Sequence, residues 1–447
     1  MNDGMNELPG ASLDGLPERG RIVVGFSGGA DSTALAHWLL GRVERERVLL
    51  AHVNHLLRGD EAERDQRAAE AFARAQGLDI QVLRADVAAL ARARGQGVEE
   101  CGREVRYSFF HRLAGGEADR ILTAHNADDN AETILLNLCR GAGLEGLCGI
   151  PRRRGKVLRP LLEAGRGDIE AYCRAHGLSY VTDSTNLADI YARNRLRHQV
   201  LPVLNGLNPR FVQAAAGAAE LLTLDREFLE AQAQTLLDRA RNRWGLEADT
   251  LRRAHESIRS RAVKRFLEEA GCGRLERGHI LEAMALLEGG GRISLPGGVE
   301  AFCAQGVLWA GKPSPIPPYQ RPVRLGENPL PGGKTLILRE KIWSETENPE
   351  KIQNLLFKNL LDYDIMAKTI VARNRRPGDR FAPAGRGLSK PLKQIFQELR
   401  VPEPLRDGLP VLVCGGELAW CQGAGAAEGF QAERRARHVL EVEVKDE

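Results

Sequence analysis

The sequence contains no C-x-x-C pair: its eight cysteines, at 101, 139, 148, 173, 272, 303, 414 and 421, fall at irregular spacings. Such spacing signals neither a zinc site nor an iron–sulfur cluster and fits a reduced, cytoplasmic setting. No apolar run approaches the roughly 20 residues that a membrane-spanning helix needs. The first twenty residues carry no basic leader and no apolar core of a secretory signal, which argues against export. Neither sign of charge dominates, because the 447 residues sum to +3. Net charge therefore excludes no partner, and only its distribution informs. A chain of this length exceeds one ordinary core, and its 43% hydrophobic and 28% charged residues are the balance of a globular protein.

Charge is concentrated in two places. Residues 152–166 hold six basic side chains against one acidic, and residues 373–400 hold eight against two, namely Asp379 and Glu398. Both segments fit a directed surface for a polyanion, or a solvated face. From 20 to 207, the apolar runs "RIVVGF", "RVLLAHV", "DIQVLRADV" and "RILTAH" alternate with helix-length segments. That alternation predicts an α/β domain, a parallel sheet with helices on both faces that binds ligands at the carboxyl ends of its strands. From 208 to 310, "FVQAAAGAAELLTLDREFLEAQAQTLLDRA" sets a period near 3.6 and predicts a helical domain. The Pro/Gly-rich stretch 311–333 reads as a linker, and 334–447 as a mixed α+β domain with strands at "KTLILRE", "TIVARN" and "LPVLVCGGELAW" and a helix at 392–399. Residues 1–19 are left as an N-terminal extension.

The first strand runs into "SGGADS", Ser27 to Ser32, directly before a helix. Gly28 and Gly29 permit unusual dihedrals and let main-chain N–H groups approach a ligand. The following helix points its positive end into the same space, which makes an anion site suited to a phosphate chain. No Gly-Lys-Ser/Thr follows the loop, so this is not a Walker motif, and "PGGKT", Pro331 to Thr335, reads as a hairpin turn. Ser27-Gly28-Gly29-Ala30-Asp31-Ser32 resembles the SGG-x-DS loop of the PP-loop ATP pyrophosphatases, an adenine nucleotide alpha hydrolase-like fold that splits ATP into AMP and pyrophosphate. The resemblance implies ATP binding by Ser27, Gly28, Gly29, Ala30, Asp31 and Ser32, with Asp31 on Mg2+.

Other motifs narrow the reading. "AHVNHLLRGDEAERD" puts His52 and His55 at the end of the second strand, where they suit satisfied strand-end histidines as well as catalysts. "GREVRY" places Arg103 and Arg106 one helical turn apart, able to grip phosphate or to lie in solvent. In "TAHNADDNAETILLNLCRGAGLEGL", Ala131, Ile134, Leu135 and Leu138 form one helical stripe. At about 100° per residue, Asp129 and Glu132 fall roughly 100° to 160° off that stripe, together and facing away from the core. Paired carboxylates there can bind an ammonium or accept its proton, or stabilise the helix start.

With "RPLL", "TDSTN" and "YARNRLR", these segments resemble, in order, the signature series of tRNA(Ile)-lysidine synthases, and residues 370–425 resemble that family's C-terminal domain. The likeness covers most of 20–205 and 370–425. It implies that O2 of the wobble cytidine of a CAU-anticodon isoleucine tRNA attacks the α-phosphate of ATP, and that free L-lysine then displaces AMP at C2. Asp31, Asp129, Glu132 and Arg103 would serve catalysis. Arg193, Asn194, Arg195, Arg197, Arg373, Arg375, Arg376, Arg380, Lys390 and Lys393 would meet tRNA, with a homodimer compatible and no membrane involved. The chain departs from the family at Asn126 and Asn130, where a second His and a Gln are common.

Rival readings share parts of this pattern. A tRNA thiolation enzyme shares the loop but needs a persulfide cysteine or a cluster site, neither of which is signalled. A small-molecule amide synthetase of the NAD synthetase type leaves the basic C-terminal region unexplained. A non-catalytic RNA-binding protein leaves Asp31 and the carboxylate pair idle.

Overall fold

The computed structural model describes residues 7–57, 59–181, 192–312, 316–342, 359–367, 369–432 and 438–446. Arg58, the "TDSTN" motif at 182–186 and Tyr191 lie outside the described residues. The chain divides into two compact units, Met1–Glu227 and Phe228–Glu447.

The first unit is built on the strands β1 (Ile22–Gly25), β2 (Val48–Asn54), β3 (Asp79–Arg84), β4 (Arg120–Leu122), β5 (Arg153–Arg154) and β6 (Val157–Leu158), in the order β3-β2-β1-β4-β6-β5. All pair in parallel except β5, which runs antiparallel to β6. The alternation of side chains explains why these runs are apolar throughout. Ile22 and Val24 of β1 join one core with helices α1 (Ala30–Leu40), α2 (Asp60–Gln76) and α7 (Arg166–Ala175), numbered in chain order. Val23 joins a second core with Phe109 and Phe110 of α4 (Val98–Leu113). A strand buried on both faces has no polar side to show. The α3 helix (Val87–Arg94) lies between β3 and α4 in sequence, α5 (Ala127–Cys139) follows β4 directly, and α6 (Leu144–Leu147) comes next. Because the sheet grows one way from β1 through β2 and the other way through β4, a crevice opens beyond the ends of β1 and β4, where α1 and α5 begin.

The N-terminal extension is part of this unit. Leu8 is buried in the first core, with Ala11, Leu13 and Leu16 against it. Gly10 has φ +75°, and a Cβ there would sit 2.4 Å from the Glu163 carbonyl oxygen, so only glycine fits. Ser12 N donates to Pro160 O at 2.9 Å, and Arg47 Nη2 donates to Pro17 O at 2.7 Å.

The second unit corrects two expectations. The segment 208–310 is not purely helical. After the long helix Phe211–Ala240 and the helices Ala248–Arg252, Glu256–Glu269 and Arg277–Gly289, it forms most of a five-stranded antiparallel sheet around Gly291–Leu295, Val299–Ala304 and Val307–Gly311. The alternating burial of Val299, Ala301 and Cys303 is the strand signature. The stretch 311–333 is likewise more than a linker, because Gln320–Val323 and Gly326–Leu330 are strands. Both are edge strands, so Pro322 and Pro329 remove no needed ladder bond. Gly326–Leu330 pairs with Lys334–Ile342, which makes Pro331–Thr335 the expected hairpin turn. Two C-terminal sheets, of five and four strands, share a core that includes Leu336, Ala372, Leu412, Trp420 and Leu440. The expected helix is present as Leu392–Glu398. No helix among the described residues is long and apolar enough to cross a membrane.

Candidate active site

The loop Ser27–Ser32 closes on itself at the end of β1. Ser27 N donates to Ser32 Oγ at 3.2 Å, the two Oγ atoms lie 3.1 Å apart, and Ser32 Oγ donates to the Gly29 carbonyl at 3.1 Å. Gly28 takes φ +84°, a conformation that disfavours any side chain. α1 starts at Ala30, inside the motif, so the first free amides of the helix lie in the loop itself. All six residues of the motif are thereby gathered in one turn at a helix N-terminus.

Across the crevice, Asn126 caps α5. Its side-chain oxygen accepts from Asp129 N at 2.9 Å, while Asp129 Oδ2 accepts from Asn126 N at 3.2 Å. The same Asn126 side chain, fully buried, donates through Nδ2 to Asp31 Oδ1 at 3.1 Å. One asparagine therefore ties the phosphate loop to the carboxylate helix. Asn126, where the chain departs from the family pattern, carries the sequence signal of a cap, N-x-x-D ahead of an apolar-periodic helix. Asn130 is equally engaged, its Oδ1 accepting from Ile150 N at 2.7 Å. Burial, and next the charge of Asp129, push the Asp31 carboxyl up to about 6, against the pull of Arg166, Asn126 and Arg197.

The orientation expected for the carboxylate pair needs correction. Glu132 is wholly buried rather than facing away from the core, while Leu138, placed on the apolar stripe, is 58% exposed. A second layer causes this: Ala127 and Ala131 pack against Leu201 and Val212, from helices that follow in sequence. Arg193 and Arg197 come with that layer. Arg197 Nε donates to Glu132 Oε1 at 2.6 Å, and its Nη2 donates to Glu132 Oε2 and to Asp129 Oδ1, each at 3.0 Å. Arg193 Nε donates to Glu132 Oε2 at 3.0 Å. Both arginines, expected to meet tRNA, are turned onto carboxylates instead. Arg195 is exposed, and Asn194 is half-buried.

Cations surround His125, which precedes the cap. Burial, reinforced by Arg159, Arg193 and Arg103 and opposed by Asp129, brings its imidazole down to about 4. Arg103 lies over the Tyr107 ring at 5.3 Å, and Arg159 is buried with its Nη1 donating to Pro151 O at 2.6 Å. Burial lowers the Arg106 guanidinium, with Tyr107 opposing and Arg103 adding to the effect. Such a ring suits an anion beside a neutral imidazole.

The second unit distributes its basic residues unevenly. Arg373 is buried, its Nη1 and Nη2 on the two oxygens of Asp379 at 2.7 and 2.8 Å. It holds the fold and is withdrawn from any RNA surface, which corrects the expectation for that residue. Arg375 pairs with Asp407 at 2.7 Å, Arg380 donates to Ser389 O at 2.7 Å, and Lys390 binds Glu398 at 2.5 Å. Arg376 donates to Gln320 Oε1 at 2.5 Å, and Lys393 is exposed. Among the described residues, no group of three or more His, Cys, Asp or Glu side chains is placed to hold a metal ion.

A glycine-serine phosphate loop at the switch point of a parallel sheet defines a nucleotide-using PP-loop protein, and residues 7–204 match the model of the PP-loop domain. Residues 370–442 match that of the TilS substrate C-terminal domain. The chain is 31% identical over 451 residues to the tRNA(Ile)-lysidine synthase of Clostridium tetani, covering 96% of this chain and 95% of that protein. It is 31% identical over 464 residues to that of Clostridium acetobutylicum, covering 100% of both, and 33% identical over 446 residues to that of Geobacter sulfurreducens, covering 95% and 93%. The chain belongs to the tRNA(Ile)-lysidine synthase family.

Proposed function

We propose that this protein joins free L-lysine to C2 of the wobble cytidine of tRNA(Ile) with a CAU anticodon, consuming ATP and shifting codon recognition from AUG to AUA. The observation that carries this reading is the link from Asp31 through Asn126 to Asp129, which sets an anion loop beside a carboxylate cluster. The first step needs the anion loop: cytidine O2 bonds to the α-phosphorus of ATP, and the bond to pyrophosphate breaks. Amides and hydroxyls of Ser27, Gly28, Gly29 and Ser32 would hold the departing pyrophosphate. The second step needs a carboxylate: the ε-amine of lysine, once neutral, attacks C2, AMP leaves, and the amine's extra proton is lost. Asp129, with 17% of its side chain exposed, would orient the ammonium and take its proton, whereas Glu132 is closed off. Arg103 would face the adenylate.

Asp31 fits a share in a Mg2+ ion. It is a hard, partly buried oxygen donor beside the phosphate loop, and Mg2+ is usually held by one or two carboxylates together with substrate phosphates. When bound, Mg2+ would offset the charge developing on the leaving pyrophosphate. All the side chains used here lie in one chain, so a homodimer would carry two copies of the site, working in the cytoplasm where charged tRNAs are made.

The deciding experiment incubates protein, ATP, Mg2+, labelled lysine and a CAU-anticodon tRNA(Ile) transcript. Label entering RNA together with AMP, and lost when the wobble cytidine becomes uridine, supports the reading. AMP release with unlabelled RNA overturns the acceptor while keeping ATP cleavage.

A further inference from the structure

The phosphate loop has no side-chain cation of its own, because Ser27–Ser32 holds no Lys or Arg. Its amides and hydroxyls can cradle a phosphate chain, yet a triphosphate carries more negative charge than one divalent ion offsets. Most arginines of the crevice are already engaged. Arg193 and Arg197 are bound to Glu132 and Asp129, while Arg103 and Arg159 belong to the surroundings of His125. Arg166 differs from them. It is half-buried, and among the described residues its guanidinium meets no carboxylate and donates no hydrogen bond.

Two contacts fix where α7, which starts with Arg166, begins. Arg166 N donates to Asp128 Oδ2 at 2.9 Å, in the first turn of α5, and Cys173 Sγ donates to the carbonyl of Ala30, the first residue of α1, at 3.6 Å. Farther along, Tyr172 Oη lies 2.9 Å from His37 Nδ1, and the ring centroids of His176 and His37 are 4.9 Å apart. Later residues of α7 thus meet later residues of α1, so the two helices run the same way and both begin at the crevice. Arg166 sits seven residues before Cys173, on the same helix face and about 10 Å nearer the crevice along the axis. Helical side chains lean toward the N-terminus, so the guanidinium projects beyond the start of α7, toward the phosphate loop. In keeping with this, Arg166 draws the Asp31 carboxyl down more than any other cation around it. A cation at the first position of a helix opposes the helix dipole, so helix stability does not account for it there.

We infer that Arg166 is the side-chain cation of the phosphate site, its guanidinium donating to the β- and γ-phosphate oxygens of ATP and staying on the pyrophosphate as it leaves. A planar fork of N–H donors suits such paired oxygens. As the bond from cytidine O2 to the α-phosphorus forms, the bond from that phosphorus to the bridging oxygen breaks, and the electron pair it leaves on pyrophosphate is what Arg166 stabilises. This rests on the adenylation step proposed above and adds to it a catalytic residue outside the loop.

The test titrates the full chain with magnesium pyrophosphate and, separately, with AMP, and follows AMP release in the presence of ATP and the CAU-anticodon tRNA(Ile) transcript. Arg166→Gln is expected to raise the pyrophosphate Kd about tenfold and to slow AMP release about 10^2-fold. AMP, which lacks the β- and γ-phosphates, should bind as to wild type, and urea unfolding should be unchanged, since Arg166 has no side-chain contact to lose. Arg166→Lys keeps the charge without the fork and should recover part of both losses. Unchanged pyrophosphate affinity in Arg166→Gln overturns the inference, and so does equal weakening of pyrophosphate and AMP, which would mark a general disturbance of the crevice. Should Arg166→Gln fail to fold, the wild-type protein decides: its Arg166 Nε–H resonance, assigned by its absence in Arg166→Lys, should move with magnesium pyrophosphate and stay in place with AMP, and a signal indifferent to pyrophosphate overturns the inference. Pyrophosphate binding is read without tRNA or lysine. A protein that releases AMP but incorporates no lysine therefore fails the functional reading and leaves this one standing, whereas lysine incorporation with unchanged pyrophosphate binding in Arg166→Gln does the reverse.

Discussion

Arg197 holds Glu132 by two parallel bonds, Nε to Oε1 at 2.6 Å and Nη2 to Oε2 at 3.0 Å, with the Glu132 side chain wholly shielded from solvent. A carboxylate so enclosed depends on its partner, because its charge has no water to return to. Arg197→Ala should therefore lower stability by about 3–5 kcal/mol in urea unfolding. Adding Glu132→Gln should recover part of the loss, since the buried charge that Arg193 alone would then face goes with it. A single variant as stable as wild type would show that the pair is more open in solution than in this structure.

The division of labour between carboxylates is separable by kinetics. Asp31→Ala should cut AMP release by roughly 10^2–10^3-fold, as expected for loss of a group that offsets leaving-group charge. Asp129→Asn should leave adenylation closer to wild type and slow lysine transfer by about tenfold more, because it keeps the cap on α5 while losing the charge that meets an ammonium. Single-turnover measurement of AMP formation and lysine incorporation checks both. Equal loss of the two steps in Asp129→Asn would reject the assignment.

What could be read from sequence tracks where burial comes from. β1 is hydrophobic without interruption because helices cover both of its faces, and "SGGADS" carries its own geometry in consecutive residues. The burial of Glu132 is not legible locally, because Arg193 and Arg197, which enclose it, lie about 60 positions later, beyond any local pattern. The strands at 320–323 and 326–330 were hidden by prolines that are tolerated only because those strands are edges, a fact of tertiary pairing. Arg373 reads as part of a basic surface in the sequence, whereas in the fold Asp379, six residues on, turns back onto it.

The neutral His125 gives a pH signature. Its imidazole titrates near 4 in the folded protein against 6.5 for a free side chain. Between those values the unfolded chain binds more protons, so stability falls as pH drops from about 6.5 to about 4 and levels off below. His125 contributes up to about 3 kcal/mol to that fall. His125→Gln should therefore lose less stability than wild type between pH 7.5 and 5 in urea unfolding. Proton NMR should show the wild-type ring resonance flat down to pH 5. A midpoint near 6.5 would mean the surrounding cations do not enclose it.

The basic residues of the C-terminal region should separate into two behaviours. Arg373 is buried on Asp379, so Arg373→Ala should lower stability by about 3 kcal/mol or more, and any loss of RNA binding should follow the loss of fold. Arg375, Arg376 and Lys393 stand at the surface, where the Arg375–Asp407 pair adds about 0–1 kcal/mol to stability. Arg375→Glu with Arg376→Glu should leave unfolding nearly unchanged, yet weaken tRNA binding and flatten its dependence on salt, since each lost phosphate contact removes about 0.7–0.9 from the slope. Filter binding from 50 to 200 mM salt distinguishes the two. An unchanged slope in the double reversal would take this face of the domain off the RNA.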